Sequence, residues 1–278
     1  MENKKIIIGS RGSKLALLYA EKAKKSIITN NKELSEESIE IKIIKTDGDI
    51  NQNQRLSEIG GKGLFSKKIE NELLNKNIDI AVHALKDLPS IETKGLKADI
   101  YLERNDPREV LISKDNKNLL ELDKNSIVGT SSFRREAQLK NLRNDLITKL
   151  IRGNVDTRIK KLEENKFHAI ILAFAGIKML KKEEKISQIF SVNEILPSVG
   201  QGIISIQSRI DDMKINKIIK NINHEETSLC ACAEREMLKV LGGDCETAVA
   251  GLALIKNEKI FLNCELFSID GKKNLFLI

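Results

Sequence analysis

A thiol on a glycine-rich stretch near the C-terminus is the first feature with chemical potential. Cys245 sits in Leu-Gly-Gly-Asp-Cys-Glu-Thr-Ala-Val-Ala at 241–250. Glycine lets a backbone come close to a ligand, and a thiolate is a good covalent nucleophile. The other cysteines, Cys230, Cys232 and Cys264, also fall in the last quarter of the chain. Cys230-Ala-Cys232 lacks the two-residue spacer of a zinc knuckle, and His83, His168 and His224 do not cluster near it in sequence. No metal is expected, and these three cysteines read as small buried hydrophobes.

Arginines recur where helices should begin. Gly9-Ser-Arg-Gly-Ser13 follows an apolar run and carries Arg11. Gly129-Thr-Ser-Ser-Phe-Arg-Arg135 carries Arg134 and Arg135 in a first turn capped by Ser131 or Ser132. Ile151-Arg-Gly-Asn-Val-Asp-Thr-Arg158 adds Arg152 and Arg158, and Gly60-Gly-Lys-Gly-Leu-Phe-Ser-Lys-Lys68 adds lysines. A helix N-terminus is already partly positive, so basic residues there oppose the dipole by about 0.3–1 kcal/mol each. Their removal is therefore expected to leave stability unchanged or slightly raised. Helix starts, free amides and guanidinium forks would converge instead on carboxylates or phosphates. None of these loops has the spacing of a nucleotide-binding motif.

One acid stands among the cations. Ile78-Asp-Ile-Ala-Val-His-Ala-Leu-Lys-Asp-Leu-Pro89 reads as a buried strand that ends at Lys86 and Asp87. A carboxylate there could relay a proton or stabilise a cationic intermediate. His83 reads as a satisfied core residue.

These groups need a scaffold that brings strand ends together. Strands are expected at 6–8, 39–46 and 78–82, with helices at 14–28 and 64–74. After Pro107 the pattern restarts, with strands at 110–113, 127–129, 147–151 and 169–173 and helices at 133–142 and 156–164. This alternation predicts mainly parallel sheets covered by helices, whose ligands bind beyond the carboxyl ends of the strands. Val199-Gly-Gln-Gly-Ile203 reads as a hinge. A last segment follows His224, with a helix at 228–241 and strands near 249–255 and 260–267.

The 278 residues suit about two domains, or three small ones, with 41% hydrophobic content. The net charge of +7 is compatible with nucleic acid, an acidic surface or an acidic small substrate. Aromatics are only 4% and Trp is absent, so stacking platforms for single strands are scarce. No apolar run approaches the ~18 residues of a membrane span. The apolar stretch after Met1 is too short for a signal peptide, so a cytoplasmic location is expected.

Taken together, the segments resemble the porphobilinogen deaminase (hydroxymethylbilane synthase) family. The matching pieces are Gly9-Ser-Arg-Gly-Ser-Lys-Leu-Ala16, Thr46-Asp-Gly-Asp49, Gly60-Gly-Lys-Gly-Leu-Phe65, Ala81-Val-His-Ala-Leu-Lys-Asp-Leu-Pro89 and Arg104-Asn-Asp-Pro-Arg108. They continue through Val128-Gly-Thr-Ser-Ser-Phe-Arg-Arg135, Arg152-Gly-Asn-Val-Asp-Thr-Arg158, Ala169-Ile-Ile-Leu-Ala173, Leu196-Pro-Ser-Val-Gly-Gln-Gly202 and Ala233-Glu-Arg235 to the Cys245 loop, in family order.

The resemblance implies an α/β fold: two doubly wound domains like periplasmic binding proteins, and a smaller C-terminal α/β domain. The divisions would be 1–102 with 203–221, then 103–202, then 222–278. It implies a dipyrromethane cofactor joined by a thioether to Cys245, onto which four porphobilinogen units are added with loss of ammonia. Hydrolysis then releases the linear tetrapyrrole. Asp87, with Lys86 beside it, would be catalytic. Arg11, Ser13, Lys86, Thr130, Ser131, Ser132, Arg134, Arg135, Arg152, Gly153, Arg158, Gln201 and Gly202 would bind cofactor and substrate. Lys62 and Phe65 would belong to a lid. A monomer is expected, with porphobilinogen as small-molecule partner and neither nucleic acid nor membrane.

The chain departs from the family pattern at Lys14, where proline is common, and at Tyr19, where glutamine is usual. Met179 stands where many members carry arginine, Ala248 replaces a frequent proline, and the C-terminus is short. Two other readings compete on the residues alone. A solute-binding module would have no need of Cys245, and a nucleic-acid binder would spread its basic residues along one face.

Overall fold

The computed structural model describes residues 5–46, 63, 65–243, 248–268 and 274–277. In chain order the strands of the first half are β1 (Ile6–Arg11), β2 (Ile39–Ile44), β3 (Ile80–Ala84), β4 (Leu96–Tyr101), β5 (Glu109–Ser113), β6 (Ile127–Gly129) and β7 (Ile147–Lys149). They continue as β8 (Ala169–Ala173), β9 (Gln188–Ile189), β10 (Ile204–Arg209), β11 (Val249–Lys256), β12 (Lys259–Phe267) and β13 (Asn274–Leu277). The helices are α1 (Lys14–Asn30), α2 (Lys67–Leu74), α3 (Phe133–Leu142), α4 (Val155–Glu163), α5 (Phe174–Met179), α6 (Met213–Lys220) and α7 (Glu225–Val240).

Two five-stranded sheets share one plan. The first runs β2-β1-β3-β10-β4 and the second β7-β6-β8-β5-β9. In each, the three strands nearest one edge are mutually parallel and the fourth runs against its neighbours. The expectation of mainly parallel sheets thus holds with one reversed strand apiece. That strand is β10 in the first sheet and β5 in the second. Each is the first strand the chain forms after crossing from the other half.

The sequence dictates the burial. Central strands such as β3 (Ile-Ala-Val-His-Ala) and β8 (Ala-Ile-Ile-Leu-Ala) are almost wholly buried, as parallel strands covered on both faces must be. Helix α1 buries Tyr19, Ala20, Ala23 and Ile27, a stripe at helical spacing that packs on the first sheet's core with Ile8, Ile80 and Ile206.

The two crossings lie side by side and are bonded to one another. Asn105 donates to the Gly202 carbonyl through its backbone N at 2.8 Å and its side-chain amide at 3.0 Å. Arg104 Nε donates to the Gln201 carbonyl at 2.9 Å. Gly202 has φ +84°, and a Cβ there would run into the Asn105 carbonyl oxygen. Only glycine meets both demands without strain.

The last segment is the antiparallel sheet β11-β12-β13 with α7 packed against it. Fully buried Glu234 on α7 accepts from Arg104, from the Gly200 backbone N at 2.7 Å and from the Ala253 backbone N at 2.8 Å. One carboxylate therefore ties the third sheet to both crossings, and its charge is paired as burial requires. Cys230 and Cys264 are buried as expected, but Cys232 is exposed, because it lies on the solvent side of α7. Helix α7 starts at Glu225, three residues before the expected position, since the His224 side chain caps it by accepting from Thr227 N at 3.3 Å. Among the described residues no helix is long and apolar enough to cross a membrane.

Candidate active site

The loops that leave β1, β3, β6, β7 and β8 open onto one cleft of about 410 Å³ between the two large sheets. This is the carboxyl-end position where open α/β sheets hold ligands. The cleft brings together Arg11, Ser13, Phe65, Lys86, Asp87, Ser131, Ser132, Arg134, Arg135, Arg152, Gly153, Arg158, Gln201 and Gly202.

Asp87 closes a short 3-10 turn, Leu85–Asp87, directly after β3. Its carboxylate is about one-third exposed and lies 3.9 Å from Arg11 Nη1. The Arg11 guanidinium stacks over the Phe65 ring, 4.0 Å from its centroid, a favourable cation–π contact. Asp156 also lines the cleft, but Lys182 holds it at 3.0 Å.

Lys86 donates to Gln201 Oε1 at 3.2 Å, and Gln201 Nε2 donates to the Pro107 carbonyl at 2.7 Å. Gln201 thus joins the lysine to the first crossing. Burial, and then the charge of Arg135, push the Lys86 ammonium down to about 8. Burial, and then Arg135 and Arg152, push Arg158 down to about 10. Arg152 is lowered by burial and by Arg11. The cations crowd one another, and a bound polyanion would relieve that repulsion.

Several expected site residues do local structural work. Ser13 caps α1, accepting from Ala16 N at 3.3 Å. Ser132, rather than Ser131, caps α3. The Thr130 hydroxyl accepts from Ser132 N at 3.2 Å, and Thr130 is buried outside the cleft lining. Gly153 has φ +109° and its carbonyl accepts from Arg158 Nε at 2.8 Å.

Arg134 and Arg135 correct an expectation. Both are buried, and both grip the fully buried carboxylate of Glu109. Arg134 Nη2 lies 2.6 Å from Oε1 and Arg135 Nη2 lies 2.8 Å from Oε2. Arg134 also donates to the Leu196 carbonyl at 2.8 Å, and Arg135 to that of Ile171 at 3.1 Å. Removing either takes away one of the two cations on a buried carboxylate and leaves a backbone carbonyl without its donor, so a loss of stability is expected rather than the gain the helix dipole alone would give. Burial opposes the Glu109 charge, but Arg135 and Arg134 together outweigh it and bring the carboxyl down to about 2. Sequence reasoning missed Glu109. Its one signal is an acid opening an otherwise apolar strand, Glu-Val-Leu-Ile-Ser.

Cys245 and Lys62 lie outside the described residues. Of the residues flanking Cys245, Gly243 accepts from Ser90 Oγ at 2.7 Å. Ala248 packs with Ala137 of α3 and with Leu196. Among the other departures, Lys14 is exposed at the cleft rim, Tyr19 lines the cleft, and Met179 packs on the first sheet's core.

Known proteins place this architecture. Residues 6–217 match the family model described as porphobilinogen deaminase, dipyromethane cofactor binding domain, and residues 228–277 match the porphobilinogen deaminase C-terminal domain. The porphobilinogen deaminase of Chlorobium phaeovibrioides is 43% identical over 98% of this chain and 86% of its own length. That of Syntrophomonas wolfei is 45% identical over 96% of this chain and 86% of its own. An arginine-specific periplasmic binding protein of Salmonella typhimurium covers 85% of this chain and 98% of its own at a TM-score of 0.43 and 11% identity, too distant to bear on the argument. Both family models and both relatives agree along nearly the whole sequence, and the chain belongs to the porphobilinogen deaminase family.

Proposed function

We propose that the cleft joins four porphobilinogen molecules head to tail, each with loss of ammonia, and releases hydroxymethylbilane by hydrolysis, with Asp87 as the catalytic carboxylate. The family's cofactor is dipyrromethane, and the residues present fit it. A pyrrole pair bearing acetate and propionate needs a mixed cleft with several cations. Arg11, Lys86, Arg152 and Arg158 line one of suitable size, between apolar stretches such as Leu15 and Leu172. When bound, the dipyrromethane supplies a free pyrrole carbon as nucleophile. Cys245 would hold it through the thioether, and the guanidiniums would hold its carboxylates.

The observation that carries the role of Asp87 is its ionic isolation. Among the described residues two carboxylates line the cleft: Asp156 is taken by Lys182, while the ion-pair approach to Asp87 is the loose 3.9 Å one of Arg11. Its negative charge remains for a cation that develops as ammonia leaves, and its oxygens can accept a pyrrole N–H and pass the proton on. General acid–base and electrostatic contributions are each worth roughly 10²–10⁴-fold. Asp87→Asn should therefore lower turnover at least a hundredfold, with melting temperature and shape intact. A loss below tenfold would refute the role. Intact mass spectrometry reads the anchor: Cys245→Ser should show the bare polypeptide mass where the active protein carries one dipyrromethane. Retention of the adduct would move the anchor to another cysteine.

A further inference from the structure

One polar group on the cleft wall has no place in the mechanism so far. Tyr19, on the second turn of α1, is 9% exposed and its ring belongs to the first sheet's core. The residue nevertheless lines the cleft, and its hydroxyl makes no hydrogen bond among the described residues. Buried tyrosines ordinarily place the hydroxyl on a partner, so a hydroxyl facing a ligand cleft without one is set for a ligand.

Its surroundings narrow the ligand chemistry. Tyr19 lies on α1, which contacts α5, and the apolar lining these two helices give the cleft is Leu15, Ala16, Ala175 and Gly176, with Leu180 just beyond α5. The two helices meet closely: a Cβ on Gly176 would lie 3.3 Å from Leu15 Cδ2, and Met179 packs across onto the first sheet's core. Burial, and then the charge of Asp87, hold the phenol protonated far above its ordinary range. The group is therefore a neutral donor near the catalytic carboxylate, between apolar walls. Asp87 can itself accept a ring N–H. A donor complements the other polar part of a pyrrole substrate, its acidic side chain.

We propose that Tyr19 is a further substrate-binding residue, donating its hydroxyl proton in a hydrogen bond to a carboxylate of the incoming porphobilinogen while Leu15, Ala175 and Leu180 flank the ring. The assignment rests on the reading of the cleft given above. A hydrogen bond to a charged acceptor is stronger than a neutral one, and it forms on binding and persists through reaction, so its loss acts on affinity.

Tyr19→Phe keeps the core packing and removes only the hydroxyl. KM for porphobilinogen should rise about tenfold, kcat should change less than about twofold, and melting temperature and the mass of the loaded protein should match the wild type. An unchanged KM overturns the proposal, as does an effect confined to kcat. So does a variant with bare polypeptide mass, which would place Tyr19 in cofactor assembly. Failure of the underlying reading looks different: a wild-type protein with neither adduct mass nor turnover would remove the active site itself, whatever Tyr19→Phe does.

Discussion

Helices α3 and α4 both follow a short strand of the second sheet and carry paired arginines around the first turn, yet the pairs live in different electrostatic worlds. Arg134 and Arg135 share the buried Glu109 carboxylate and spend further donors on the Leu196 and Ile171 carbonyls. Arg158 has a backbone carbonyl, that of Gly153, for its Nε, and the largest charges acting on it are the like charges of Arg135 and Arg152. The sequence signal is the same at both helices. What separates Arg134 and Arg135 from Arg158 is the counter-charge of Glu109, which arrives from a strand 25 residues before Arg134.

The comparison breaks most visibly at Glu109. Glu109→Ala leaves two buried guanidiniums without their acid, and removing one partner of a buried pair costs about 3–5 kcal/mol. Melting should fall by roughly 10 °C at a few degrees per kcal/mol. A shift under about 2 °C would show that the buried triad is not what holds this part of the fold. Arg135→Leu should follow with a smaller but clear drop, since Arg134 still neutralises Glu109.

Arg158 sharpens the contrast from the other side. Arg158→Met removes a cation from a crowd of cations, so stability should stay within about 0.5 kcal/mol of wild type or rise slightly. Ligand affinity should suffer instead, with KM for porphobilinogen or the yield of loaded protein worsening about tenfold. A stability loss as large as that of Arg135→Leu would erase the distinction between the two helices.

Much of this was legible before the structure, for identifiable reasons. The α3 and β8 spans agree residue for residue with the expectation, because Ser132 caps the start of α3 and Ala-Ile-Ile-Leu-Ala is a short apolar run of the kind a buried strand needs. Asp87 at the end of a buried strand was visible too. Strand β10 was not. Its residues, Ile-Ser-Ile-Gln-Ser-Arg, alternate like a half-exposed edge, yet the whole strand is buried. Three of its polar members are satisfied internally: Gln207 bonds His83 and Glu70, Ser208 bonds Asn216, and Arg209 bonds the Leu73 and Ile78 carbonyls, while the Ser205 hydroxyl has no partner among the described residues. Such partners are brought together only by the fold, and the same is true of Glu109. The position of Tyr19 in the sequence was conspicuous, but that its hydroxyl makes no hydrogen bond among the described residues shows only in three dimensions.

Lys86 feels both arginine groups and gives the finest test. Burial and Arg135 lower it to about 8 from 10.5, Asp87 and Glu109 pull it back up, and Arg134 lowers it again. Below about 8 the ammonium is charged in both the folded and unfolded states, and the folded protein bears the full cost of its burial. Between about 8 and 10.5 the unfolded chain holds more protons, so this group's contribution makes stability rise with pH. Carboxylate binding needs the ammonium, so kcat/KM should fall as pH climbs through about 8, approaching about tenfold per unit. The same proton thus moves stability and activity in opposite directions. In Lys86→Arg the alkaline limb should disappear, because a guanidinium stays charged, and in Lys86→Met the matching rise in melting temperature should disappear. If kcat/KM instead rises through pH 8 in the wild type, the neutral amine is the working form. Lys86 would then act as a base beside Asp87, and the set of cations gripping the carboxylates would shrink to the guanidiniums.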